Sequence, residues 1–144
     1  VRLIDKFSYH VEAGTFLANS STLFADYKNF NGQPNIFLSN DLVNSFKLMD
    51  LYRFNTSNRY AEAHVKIEDN RILLKRIPYF ARKGISEVLN FNYLITEQNI
   101  NYTEVGYSVD RIFFGFKLGV YAAFEDNEFA AWNVRIGLAG FFNQ

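Results

Sequence analysis

The amino-acid sequence predicts an all-β chain: an antiparallel transmembrane β-barrel, of which about six strands are visible. Three observations carry this expectation. Apolar and polar residues alternate with period two in six separate stretches of the 144-residue chain. The stretches run to about ten or eleven residues, whereas soluble strands average about 5 to 6. At about 3.3 Å per residue and a tilt near 45°, such a strand rises about 26 Å, the height of the apolar band of an outer-membrane barrel. Aromatic residues make up 18% of the chain, with 16 Phe and 9 Tyr, more than a small water-soluble core needs.

In chain order, the first stretch is FSYHVEAGTFL, with Phe7, Tyr9, Val11 and Ala13 opposite Ser8, His10, Glu12 and Gly14. RYAEAHVKIE sets Ala61, Ala63, Val65 and Ile67 against Glu62, His64, Lys66 and Glu68. ISEVLNFNYLI sets Leu89, Phe91, Tyr93 and Ile95 against Asn90 and Asn92, with Val88 and Leu94 blurring the second face. YTEVGYSVD alternates Thr103, Val105, Tyr107 and Val109 with Glu104, Gly106, Ser108 and Asp110. FFGFKLGVYAAF is the clearest, with Phe114, Phe116, Leu118, Val120, Ala122 and Phe124 facing away from Gly115, Lys117, Gly119 and Tyr121. The last, AAWNVRIGLAGFFNQ, alternates Trp132, Val134, Ile136 and Leu138 with Asn133, Arg135, Gly137 and Ala139.

Which face is wet decides the function. In a water-soluble sheet the apolar face turns to a core, and in an outer-membrane barrel it turns to lipid while the charged face lines the lumen. Strand length favours lipid. The expected orientation puts Phe114, Phe116, Leu118, Val134 and Ile136 toward lipid and Lys117 and Arg135 toward the interior. Glycines on the polar face let a plug or a neighbouring side chain approach the wall.

The connections are unequal. Residues 111–112, 96–101 and 125–131 are short links, whereas about 40 residues separate Leu17 from Arg59. The long segment, about 18–58, is expected to be an ordered extracellular loop: it carries Phe24, Tyr27, Phe30, Ile36, Phe37, Leu38, Phe46, Leu48, Met49 and Leu51, too apolar for a free linker. Up-and-down order then puts the 96–101 and 125–131 links outside, and the 70–84 and 111–112 links with both termini on the periplasmic side. The segment NRILLKRIPYFARKG interleaves Arg71, Lys75, Arg76, Arg82 and Lys83 with apolar and aromatic residues, a composition suited to anionic lipid head groups or to an ordinary solvated turn with a small apolar anchor. Pro78 rules out one regular helix or central strand through it.

Composition excludes several classes. Fifteen basic and fifteen acidic residues cancel, which gives no footprint for nucleic acid. The absence of cysteine removes disulfides, thiolate catalysis and cysteine metal sites. No run approaches the roughly 18 apolar residues of a membrane-spanning helix. A chain opening on Val1 without a signal peptide reads as a mature product or a fragment.

The polar residues that carry chemistry share one face. His10 with Glu12, and Glu62 with His64, are same-side neighbours two residues apart, a spacing from which a metal site or a general-base pair can be built. No nucleophile or helical two-histidine motif accompanies them, so the expectation is a polar network lining a barrel: His10, Glu12, Glu62, His64, Lys66, Glu104, Asp110, Lys117 and Arg135. No enzyme activity, metal or cofactor is expected.

The stretches EAGTFL, FKLMDLYRFNTSNRYAEAHVKI, LLKRIPYFARKGISEVLNFNYL and YTEVGYSVDRIFFGFKLGVYAAF resemble the C-terminal barrel region of an uncharacterised Bacteroidetes outer-membrane family that carries an N-terminal carboxypeptidase-regulatory-like domain. LLKRIPYFARK and EVGYSVDRIF are the most specific parts. The resemblance implies that residues 1–144 are the C-terminal part of a longer barrel in the bacterial outer membrane, in contact with its lipids, the barrel-assembly machinery and other outer-membrane or periplasmic proteins. It implies no defined biochemical role. A weaker likeness runs to BamA-type assembly barrels, in which a loop arginine is held in the lumen near an inward glutamate. LYRFNTSNRYAEA offers Arg53 and Glu62 for such a loop lock, but the motif's glycine is missing and Asn92 stands where the next strand's acid belongs. The last strand also resembles a barrel-assembly signal through Arg135, Gly137 and Phe142, although Gly140 replaces an apolar residue and Asn143 and Gln144 follow the aromatic.

The resulting expectation is a non-enzymatic outer-membrane barrel that is structural, assembly-related or translocating. A soluble lipid-binding β-barrel is the alternative. Six strands leave two unpaired edges, so the segment is expected to need further strands to close.

Overall fold

The computed structural model describes residues 5–15, 27–30, 32, 37–38, 43–50, 54–56, 58–81, 84–97, 100–112 and 115–138. Six long strands form one antiparallel sheet in the positions the alternation marks. They are β1 (Lys6–Thr15), β5 (Arg59–Asp69), β6 (Ser86–Thr96), β7 (Asn101–Asp110), β8 (Phe116–Glu125) and β9 (Glu128–Leu138), each paired with the next. The segment between β1 and β5 contributes β2 (Lys28–Asn29), β3 (Phe37–Leu38) and β4 (Asn55–Thr56). β2 pairs with β4, and β3 runs parallel to β9 beside Ile136 and Gly137.

The expected barrel is met only in part. Among the described residues the sheet does not close, and its outermost strands are β1 and β3. The physical reason is strand count: six long strands end in two edges, and only the two-residue β3 covers part of one. One connection also differs from expectation. The 125–131 link is a two-residue turn at Asp126 and Asn127, both with positive φ (49° and 67°), the left-handed pair that matches strand twist in a tight hairpin. In the 70–84 connection no single regular helix or central strand runs through Pro78, as expected. Pro78 opens the one-turn helix α1 (Pro78–Ala81) after a 3-10 turn at Leu74–Arg76, using a first helical position where its missing N–H costs nothing.

Register sets the two faces. His10, His64, Asn92 and Glu104 are successive cross-strand partners, and Glu12, Glu62, Leu94 and Tyr102 form the next row. On this polar face His64, Asn92, Glu104, Lys117 and Arg135 are buried. On the opposite face Phe7, Tyr9, Val11, Phe91, Val105, Phe116, Leu118, Val120, Trp132, Val134 and Ile136 are exposed, with Tyr9 at 70% and Trp132 at 66%. Burial therefore runs opposite to that of a water-soluble sheet.

The polar face is covered by the chain between β1 and β5. Phe30, Phe46, Met49 and Phe54 from that segment pack with Leu94, Tyr102 and Ala123 of the sheet into one apolar cluster. Phe24, Ile36 and Leu51, expected in the same ordered loop, lie outside the described residues. Glycine permits close packing on this face. A Cβ at Gly106 would stand 2.2 Å from the ring of Tyr121, its direct cross-strand partner. Gly14 is overlain in the same way by Tyr60.

Candidate functional site

Residues 45–48 meet the polar face at Glu104. This residue alternates inward in β7, is fully buried, and directs its carboxylate at the backbone next to Phe46, which itself bridges Gly32. The Lys47 N–H donates to both oxygens at 2.7 and 2.9 Å, and the Leu48 N–H donates to Oε2 at 2.6 Å. The Asn92 amide donates to Oε1 at 2.8 Å and the Tyr102 hydroxyl to Oε2 at 3.2 Å. A buried carboxylate is stable when its lone pairs are filled by such donors. Asn92 also donates to the Ser45 carbonyl at 3.3 Å and lies 3.0 Å from His64 Nδ1. The Phe46 ring stands edge-on to His64 with centroids 4.7 Å apart, and edge-on to Tyr102 at 5.5 Å. The Lys47 ammonium donates to Ser45 Oγ at 2.6 Å.

A second contact fastens the start of the segment. Lys28 in β2 pairs with Glu12 of β1, and with Glu62 of β5 at 3.4 Å. Tyr60 donates to Glu12 at 2.7 Å, and the ammonium stands 5.0 Å from the centre of the Tyr60 ring. Burial would lower the pKa of Lys28, but the hydrogen bond to Glu12 and the charge of Glu62 outweigh it, so the ammonium is held above the ordinary lysine value. His10, Glu12 and Glu62 each bring one ligand atom within 4.8 Å of the others. The Lys28 ammonium pairs with both of these carboxylates and offsets one of their two negative charges.

The other polar-face residues fall into smaller groups. His64 Nε2 lies 3.4 Å from Glu62, and His10 Nε2 lies 3.6 Å from Glu12. Lys66 pairs with Glu68 at 2.8 Å, Lys117 pairs with Asp110 at 3.4 Å, and Arg135 lies 5.6 Å from the Tyr121 ring centre. Arg53 and Phe142, named for the loop lock and the assembly signal, lie outside the described residues, as do Gly140, Asn143 and Gln144. Gly137 is described within β9 beside β3. Lys28, Ser45, Lys47 and Leu48 carry polar contacts from the segment to the sheet. Among them Glu62 meets Lys28, and the acid that receives the segment's backbone is Glu104, one strand beyond Asn92.

Sequence reasoning missed a second acid, on the opposite face. Glu87 belongs to the outward set of β6, yet it is fully buried. Its Oε2 accepts the N–H groups of Leu73 and Leu74 at 2.6 and 3.0 Å and the Tyr107 hydroxyl at 2.6 Å. This fixes the 3-10 turn and α1 over the outer face at one end of the sheet. A glutamate among Leu89, Phe91, Tyr93 and Ile95 is a break in the alternation, and that break was the available signal.

Comparison with known proteins shows a family match. The C-terminal domain of a family of unknown function (DUF5686) matches residues 1–109. No curated protein and no solved structure matches the chain.

Proposed function

For a chain that belongs to the DUF5686 family of unknown function, through that family's C-terminal domain, we propose a role as part of the wall of an integral outer-membrane β-barrel. Its work is non-enzymatic, either structural or in assembly or translocation. The carrying observation is the inverted burial: Glu104 and Arg135 are at 0% exposure on the covered face, while Phe7, Tyr9, Val11 and Trp132 stand open on the other. An apolar face of this extent is costly in water and favourable in hydrocarbon, where backbone polar groups must also be paired, as they are between neighbouring strands here and would be at the two edges once further strands close the barrel. In this reading residues 1–144 form the C-terminal part of the barrel, the segment at about 18–58 enters the lumen from the extracellular side, and β9 supplies the closing strand. Outer-membrane lipids and the barrel-assembly machinery are its partners. A soluble lipid-binding barrel requires the apolar face inward, and the covered face here is the polar one.

Spin labels at Val11, Val105 and Val134, in the intact protein in outer-membrane vesicles, test this. Relaxation by oxygen in preference to a water-soluble nickel complex is expected at all three. The reverse preference would reject the membrane reading.

A further inference from the structure

The geometry points to a binding site for one acyl chain of an anionic phospholipid, between the 70–84 connection and the outer face of β7 and β8. The site rests on the membrane reading above and deepens it. The 3-10 turn and α1, pinned by Glu87 and Tyr107, leave a groove of about 340 Å³ lined by Leu74, Phe80, Tyr107, Ile112, Leu118 and Val120. The volume is in the range of small-ligand pockets, and the lining is apolar but for the Tyr107 hydroxyl, which Glu87 occupies. The groove is continuous with the exposed apolar face through Phe116 and Val105, so a chain lying along that face has a path into it.

Charge selects the head group. Residues 71–83 carry Arg71, Lys75, Arg76, Arg82 and Lys83 and no acid, in a chain whose net charge is zero. Arg71 and Arg76 are exposed, on the segment that forms one wall of the groove. Leu73, Ile77 and Tyr79 are exposed beside them. Basic and apolar side chains at a strand end form an interfacial pattern, in which cations meet phosphate and the apolar residues enter the acyl boundary. A neutral ligand would leave Arg71 and Arg76 unused, and a free phosphate would leave the groove unfilled. A lipid with an anionic head satisfies both.

The test is photolabelling of the intact protein in phosphatidylethanolamine bilayers. The probe is phosphatidylglycerol with a photoactivatable acyl chain, or phosphatidylethanolamine carrying the same group. Phosphatidylglycerol is expected to label Phe80, Ile112 and Leu118 in roughly tenfold excess over phosphatidylethanolamine. Replacing Arg71 and Arg76 by alanine should remove that excess and leave labelling of Val11 on the remote β1 face unchanged. Equal labelling of the groove by both lipids, or labelling of Val11 with none in the groove, overturns the site and leaves the membrane reading standing. Absence of labelling at both places overturns the membrane reading and the site with it. The comparison of the two lipids on the unaltered protein decides the matter even if the double variant does not fold.

Discussion

The Glu104 carboxylate accepts the backbone N–H of Lys47 at 2.7 Å across 57 residues of sequence. The contact does not depend on the side chain at position 47, so the wall grips the segment by its backbone. Replacing Glu104 by alanine strands two N–H groups, the Asn92 amide and the Tyr102 hydroxyl. A loss of about 3 kcal/mol is expected from unsatisfied buried donors, read by denaturant titration. Hydrogen exchange should quicken at Lys47 and Leu48 while the β5 amides keep their protection.

Lys28 fastens the same segment by charge. A double-mutant cycle on Lys28 and Glu12 is expected to give about 0.5 to 1 kcal/mol, the scale of a partly exposed pair. The pKa of Lys28 is raised by folding from the ordinary 10.5, so its contribution is fully present below pH 10.5 and is lost as the pH rises through the folded value. Coupling measured across neutral and mildly alkaline pH should therefore be constant and fall only above that point.

Val105 sits mid-strand on the exposed apolar face. Val105→Arg should cost about 2 to 4 kcal/mol in a bilayer, seen as a lower unfolding midpoint and reduced heat resistance on gels. Leu118→Arg on the same face should destabilise in the same sense. A variant as stable as the parent would place these positions in water.

Glu87 holds the 3-10 turn to the outer face. Glu87→Ala should speed exchange at the Leu73 and Leu74 amides and cost about 2 kcal/mol, because those donors are left without an acceptor. Tyr107→Phe removes a single donor and should cost about 1 kcal/mol. Trypsin cleavage after Arg76, followed by mass spectrometry, is expected to accelerate in the alanine variant.

The strands and their two faces were legible because alternation and length are properties of single stretches, as in Phe116 to Phe124. The fastening of the segment was not. In the sequence Arg53 is the conspicuous charge before the strand of Glu62, whereas the segment's groups that meet Glu104 are the amides of Lys47 and Leu48, and every residue but proline carries one. Lys28 and Glu12 are 16 residues apart, and no local pattern ties them. The count of six strands already leaves two edges, but the alternation fixes faces and leaves open what pairs with an edge, such as β3 beside β9.

The Tyr121 ring resting on Gly106 joins the histories of two positions. With no room for a methyl group at 106 while the ring stays, drift at one site is barred until the other yields. Among relatives of this chain, a side chain larger than hydrogen at 106 should accompany a small residue at 121, and the same trade should link Gly14 with Tyr60. An alignment of the family would then show paired replacements between β7 and β8, and between β1 and β5, at positions whose individual variability is low.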